Sequence, residues 1–217
     1  MAIDDVWRRI GTEVGFYYDL TFDSIPMVPG VYAWFYPLRV LSKDPNDLEK
    51  LVMQVQSLIN YDSQGCGQGL KETEIPAGWV NWRLGARRVP RLFKLSPPFR
   101  NVWTEIAANE DLFLDFQQSL LKASVFMPPL YVGKADNLRA RCRQHRDGSD
   151  QVNGFHRRFE EFARSEDLPI REVNRLIFAC VKTTSVLGQE QNESISRVNE
   201  IVEAVMKSIC APPYGIK

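Results

Sequence analysis

Leu176-Ile-Phe-Ala-Cys-Val181 narrows the fold furthest: six apolar residues in succession, flanked by Arg175 and Lys182. So short a run, free of polar interruption, reads as a strand buried on both faces. Such a strand needs a packed layer on each side, which implies a sheet covered by helices. Val31-Tyr-Ala-Trp-Phe-Tyr36, rich in β-formers and bounded by Pro29 and Pro37, reads as a second strand. Leu130-Tyr-Val132, closed by Gly133, reads as a third. The expected class is α+β, with a small, mostly antiparallel three-stranded sheet flanked by helices.

Helical spacing accounts for much of the rest. Leu48, Leu51, Val52, Val55, Leu58 and Ile59 recur at helical intervals after Asp44-Pro45. A single helix is expected over Val102–Lys122. Asp136 is the expected N-cap of a helix reaching about Arg146. Phe155, Phe159 and Phe162 share one face of the next helix. A last helix is expected from about Glu190 to Ile209, with Ile195, Val198, Val202, Val205 and Ile209 as its buried seam, stopping before Pro212-Pro213. Residues 1–24 read as a short helix followed by a loop.

Charge and composition remove several classes. The chain has 217 residues, 27 basic and 27 acidic, so the formal net charge is zero. Neutrality does not favour a polyanion partner, but only the patch that would face it matters. No apolar run approaches the roughly 18 residues of a membrane span, so no membrane association is expected. The N-terminus lacks an apolar signal core. Cys66, Cys142, Cys180 and Cys210 form no C-x-x-C pair, which fits reduced thiols in a cytoplasmic protein. Gly65-Cys-Gly-Gln-Gly69 lacks the Lys-Ser/Thr of a phosphate-binding loop.

Residues 79–104 are the most biased stretch. They carry Arg83, Arg87, Arg88, Arg91, Lys94 and Arg100, no acid, and interleaved Trp79, Trp82, Phe93 and Phe99. Such a stretch suits nucleic-acid binding, with cations on phosphates and rings on bases; a packed segment with solvated arginines is nearly as good a reading. Arg139 and Arg143 add basic groups on the helix after Gly133.

His145 lies four residues beyond Arg141, so guanidinium and imidazole share a helix face just after a strand. Arginine can hold charge on a phosphoryl group and histidine can move a proton near neutral pH. A solvated basic face, with Arg139, Arg143 and Arg146, is the plainer reading of this pair alone.

The wider pattern resembles the GIY-YIG nuclease superfamily. Gly30-Val31-Tyr32 matches the first motif and Tyr131-Val132-Gly133 the second. Arg141 and His145 match the Arg and His of the following helix, and Glu203 matches the carboxylate of a later helix that runs into Pro213-Tyr214. The resemblance covers Pro29–Tyr36 and Leu130–Gly215. It implies a single domain over residues 1–217, with core 25–36 and 129–217 and a mostly helical insertion over 37–128 between the first two strands. It implies hydrolysis of phosphodiester bonds in DNA, with RNA left open. Tyr32 would orient or deprotonate water, helped by Tyr131, His145 or Lys134. Arg141 would stabilise developing charge, and Glu203 would hold Mg²⁺ or Mn²⁺. A restriction-type role would favour a homodimer.

Two features depart from the pattern. The motifs usually join through a short hairpin loop, whereas here Pro37–Pro129 intervenes; closure entropy grows only logarithmically with loop length. Gly215 stands where the family usually has Asn, which motivates a non-cleaving binding module as the alternative. Of two nearby acids, Glu203 lies beside Val202 and Met206, nearer the expected seam, while Glu200 points away; an ordinary surface pair of Glu203 with Lys207 is the bland reading. His156 is read as exposed or capping. A chance match would leave Tyr32, Tyr131, Arg141 and Glu203 unconverged.

Overall fold

The computed structural model describes residues 13–59, 94–149, 154–183, 192–210 and 212–214. The chain divides into two compact units, one drawn from Met1–Pro37 and Ala123–Lys217, the other from Leu38–Lys122.

The first unit is built on an antiparallel sheet of four strands: β1 (Val14–Tyr17), β2 (Gly30–Phe35), β3 (Tyr131–Ala135) and β4 (Ile177–Lys182), in the order β1-β4-β2-β3. The α+β class is as expected; the strand count is four, not three. The additional strand, β1, lies in the stretch expected to be helix and loop. It is a four-residue edge strand with Gly15 inside it, and its partner is β4, far along the chain. So short an edge carries almost no pattern of its own. β4 runs between β1 and β2 and is buried through Cys180, as its unbroken apolar sequence requires.

β2 and β3 pair as neighbours, Tyr32 opposite Gly133 and Trp34 opposite Tyr131. Strand alternation therefore puts Tyr32, Trp34, Tyr131 and Gly133 on one face, joined from β4 by Phe178 and Cys180. Helix α4 (Leu138–Asp147) opens at Asn137, whose Oδ1 accepts from Ala140 N at 2.9 Å, one residue after the expected cap Asp136. The helix closes on Gly148 at φ 65°, in the left-handed region. Helix α5 (Phe155–Ser165) buries Phe155, Phe159 and Phe162.

Helix α6 (Asn192–Cys210) packs along β3 and reaches β2. Its orientation about its own axis reverses the expectation. Val198, Val202, Val205 and Ile209 are exposed, while Asn199 is buried and Glu203 half-buried. Beyond the helix, Tyr214 N donates to Leu130 O at 3.1 Å and Arg158 Nη2 donates to Tyr214 O at 2.7 Å.

The second unit contains helices α1 (Pro45–Ile59) and α2 (Pro97–Ala108), and all but the last residue of α3 (Glu110–Ala123). The single helix expected over Val102–Lys122 is two. Asn109 breaks it, leaving helical geometry and accepting on Oδ1 from Asp111 N at 3.0 Å, so it caps the second helix. Trp103 packs edge-on against Phe113 and Phe116, and its Nε1 donates to Lys43 O at 2.9 Å. Leu48, Leu51, Val55 and Leu58 are buried.

Candidate active site

The site grows from one strand residue. Tyr32 sits in the middle of β2, 1% exposed, with its ring stacked on Phe178 at 5.2 Å between centroids and near Tyr131 at 6.0 Å. Its hydroxyl lies directly over Gly133, where an added Cβ would stand 2.5 Å from Oη. The glycine of the second motif is thus the space that the tyrosine of the first motif occupies.

Helix α4 brings the other two groups. His145 is 1% exposed, and its Nε2 lies 2.7 Å from Tyr32 Oη. Arg141, one turn earlier, donates from Nε to the same oxygen at 3.1 Å and from Nη1 to Gln144 Oε1 at 3.0 Å. The i, i+4 spacing lets both reach one hydroxyl. Guanidinium can only donate, so Tyr32 Oη accepts from Arg141; in the tautomer that leaves His145 Nε2 unprotonated, the Tyr32 hydroxyl donates to it. Trp34, Tyr131 and Phe155 surround the imidazole edge-on, at 6.1, 5.2 and 5.7 Å, which fixes the plane of the ring. His156 Nδ1 donates to the His145 backbone carbonyl at 2.7 Å, with Glu160 Oε1 3.2 Å from its Nε2. Hydrogen bonding thus holds His145 at side chain and backbone.

Burial pushes the Tyr32 phenol well above its ordinary value, the neighbouring Tyr131 phenol adds to the effect, and Arg141 partly offsets it. Tyr32 therefore keeps its proton at neutral pH. The arrangement suits a concerted handover: a water that gives a proton to Tyr32 Oη as Tyr32 passes its own to His145.

The remaining expected residues lie as follows. Lys134 alternates to the sheet face opposite Tyr32, and its Nζ lies 3.5 Å from Glu200 Oε2 on α6. Glu203 is the more buried of the two acids, its side chain 16% exposed against 65% for Glu200. The order expected from sequence holds, for a different reason: the buried face of α6 is its polar one. Glu203 Oε1 meets Lys207 Nζ at 2.7 Å. Tyr32, Tyr131, Arg141 and His145 are brought together at one hydroxyl; the expected Lys134 and Glu203 are not bonded to it and pair instead with Glu200 and Lys207 of α6.

Of the expected nucleic-acid contacts, Arg83, Arg87, Arg88 and Arg91 lie outside the described residues, and Lys94 is exposed in the second unit. Arg139 Nε donates to Ile25 O at 2.6 Å, and Arg143 Nη2 meets Asp23 Oδ1 at 3.3 Å. Arg146 lies 4.8 Å from the Phe22 ring centroid. These arginines tie α4 to the turn before β2. Sequence reading missed Asn199; of its two readings of His156 the capping one holds, since the ring bonds a carbonyl in the last turn of α4. The spacing Asn199–Glu203–Lys207 was the available signal, a polar stripe on an otherwise apolar helix.

Among the described residues no three His, Cys, Asp or Glu side chains gather as a metal cluster. A hard divalent ion that keeps most of its waters needs only one or two carboxylates plus substrate oxygens. The half-buried Glu203 carboxylate fits that modest demand, in exchange for its bond to Lys207. No helix among the described residues is long and apolar enough to cross a membrane. Comparisons with known protein families, with curated proteins and with solved structures find no match.

Proposed function

We propose that the protein is a divalent-metal-dependent endonuclease of the GIY-YIG type, hydrolysing phosphodiester bonds in DNA. The observation that carries this reading is the Tyr32 hydroxyl, fixed between the Arg141 guanidinium and His145 Nε2 in a buried aromatic setting. A buried phenol bonded to these two groups is a device for moving a proton beside a concentrated positive charge, which phosphoryl chemistry needs.

Water attacks phosphorus in line with the departing 3′ oxygen. Its proton passes to Tyr32 Oη while the Tyr32 proton passes to His145. Arg141 steadies charge on the non-bridging oxygens, and the leaving oxygen takes its proton from solvent. Glu203 would hold a divalent ion, Mg²⁺ or Mn²⁺, which would supply Lewis-acid stabilisation of the developing charge. Lys134, paired with Glu200 on the sheet face opposite Tyr32, takes no part in this proton transfer.

The test is nicking of supercoiled plasmid with Mg²⁺. Arg141→Ala and Glu203→Ala each lower cleavage by about a hundredfold or more. Undiminished cutting in Glu203→Ala removes the assigned metal ligand. The ion pair between Lys207 and Glu203 favours a second reading, a non-cleaving nucleic-acid-binding module. That reading gains if DNA binding is salt-dependent while no divalent ion produces cleavage.

A further inference from the structure

Asn199 is 1% exposed and is one of the three polar or charged residues buried among those described, with Ser124 and His145. It occupies the inward face of α6. Ser196, Asn199, Glu203, Lys207 and Cys210, spaced three or four apart, are the sheltered side chains, while Val198, Ile201, Val202, Val205 and Ile209 are exposed. Apolar burial is non-directional, and it favours rolling an amphipathic helix until the apolar stripe faces inward.

Two directional contacts oppose that roll. Thr183 Oγ1 donates to Asn199 Oδ1 at 2.8 Å, and Thr183 is itself fixed by its N–H on Pro29 O at 3.1 Å, just before β2. One residue further along α6, Glu200 meets Lys134 of β3. A single buried polar residue can set the register of a helix, because a rolled helix leaves its amide without a partner.

We propose that Asn199, through Thr183, is the positioning residue that holds α6 in its polar-inward rotation and thereby presents Glu203, one turn later on the same face, for metal binding. The proposal rests on Glu203 as the metal-holding carboxylate, but the rotation itself does not depend on cleavage. Asn199 and Thr183 touch no reacting atom.

A Val205→Cys substitution in the full chain reports the rotation. Modification by a small thiol reagent is followed at that position by mass spectrometry, which separates it from Cys66 and Cys210. With Asn199 and Thr183 intact, the thiol at position 205 reacts readily. With Asn199→Leu or Thr183→Val added, it reacts about tenfold more slowly as the stripe turns inward, because thiol reactivity follows exposure. Helical circular dichroism is kept. Thr183→Ser retains the hydroxyl and the fast reaction. In the same backgrounds without Val205→Cys, half-maximal cleavage needs more Mg²⁺, and Thr183→Ser again behaves as the parent. If Asn199→Leu does not fold, Thr183→Val decides alone. Fast reaction at position 205 in every folded variant overturns the proposal, as does slowed reaction with an unchanged Mg²⁺ requirement. A clear change in reactivity in a protein that cleaves no DNA in any form establishes the rotational hold and removes the nuclease reading.

Discussion

Tyr32 is held by its ring as much as by its hydroxyl. Phe178 and Tyr131 fix the plane, Gly133 leaves the space, and Arg141 and His145 both hydrogen-bond the hydroxyl. Tyr32→Phe keeps the packing and removes only the proton relay. Cleavage is expected to fall by about two to four orders of magnitude, while thermal unfolding moves by no more than about 1–2 kcal/mol of stability. Gly133→Ala tests the same point from the other strand: its Cβ would stand 2.5 Å from Tyr32 Oη. Activity is expected to drop sharply while the mutant keeps its sheet by circular dichroism; parental activity would show that the hydroxyl is free to shift. The residues at this cluster were legible in the sequence because short motifs hold them at fixed separations. Asn199 was not, since its partner, Thr183, comes from another element.

Helices and strands were legible in proportion to how much of their pattern is local. α5 was clear from three phenylalanines on one face, and β4 from its unbroken apolar run. β1 was invisible because its pairing partner lies more than a hundred residues away in the sequence. The periodicity of α6 showed which residues share a face. It did not show which face turns inward, and the sheltered residues of α6 are its polar ones. Helix ends follow local chemistry, and one of them offers a clean measurement. Gly148 closes α4 at φ 65°, and a Cβ there would come within 3.3 Å of the His156 ring. Gly148→Ala should cost about 1 kcal/mol or more, because alanine disfavours the left-handed region. Chemical denaturation measures this, and an unchanged midpoint would mean that α4 can end differently. His145 lies in the last turn of that helix, so activity should fall more steeply with temperature in the same variant.

The whole molecule carries buried acids that hold their protons more tightly when folded. Burial pushes Cys142 to about 12 and Cys180 to about 11 from an ordinary 9.0, and Tyr36 to about 12 from 10.0. The unfolded chain releases these protons at lower pH than the folded one. The associated stability is therefore full below about pH 9 and lost as pH rises toward 11–12. Urea midpoints should hold level from neutrality to about pH 9 and then decline. Replacing Cys142 with Ala should remove part of that slope, whatever it does to the neutral midpoint. A constant midpoint up to pH 11 would contradict the burial of these groups.

The β2–β3 pairing has an outcome for how such a chain is assembled and altered. Leu130 N donates to Trp34 O at 2.7 Å, which closes the β2–β3 pairing at the end where the intervening segment leaves and returns. The sheet unit works as a host, and the segment from Leu38 to Lys122 is its guest. Exchanging the guest for a two-residue Asn-Gly turn would leave every strand in register and shorten the closure that folding must achieve. The tyrosine, arginine and histidine that meet at the Tyr32 hydroxyl all belong to the host, so such an exchange removes none of their contacts.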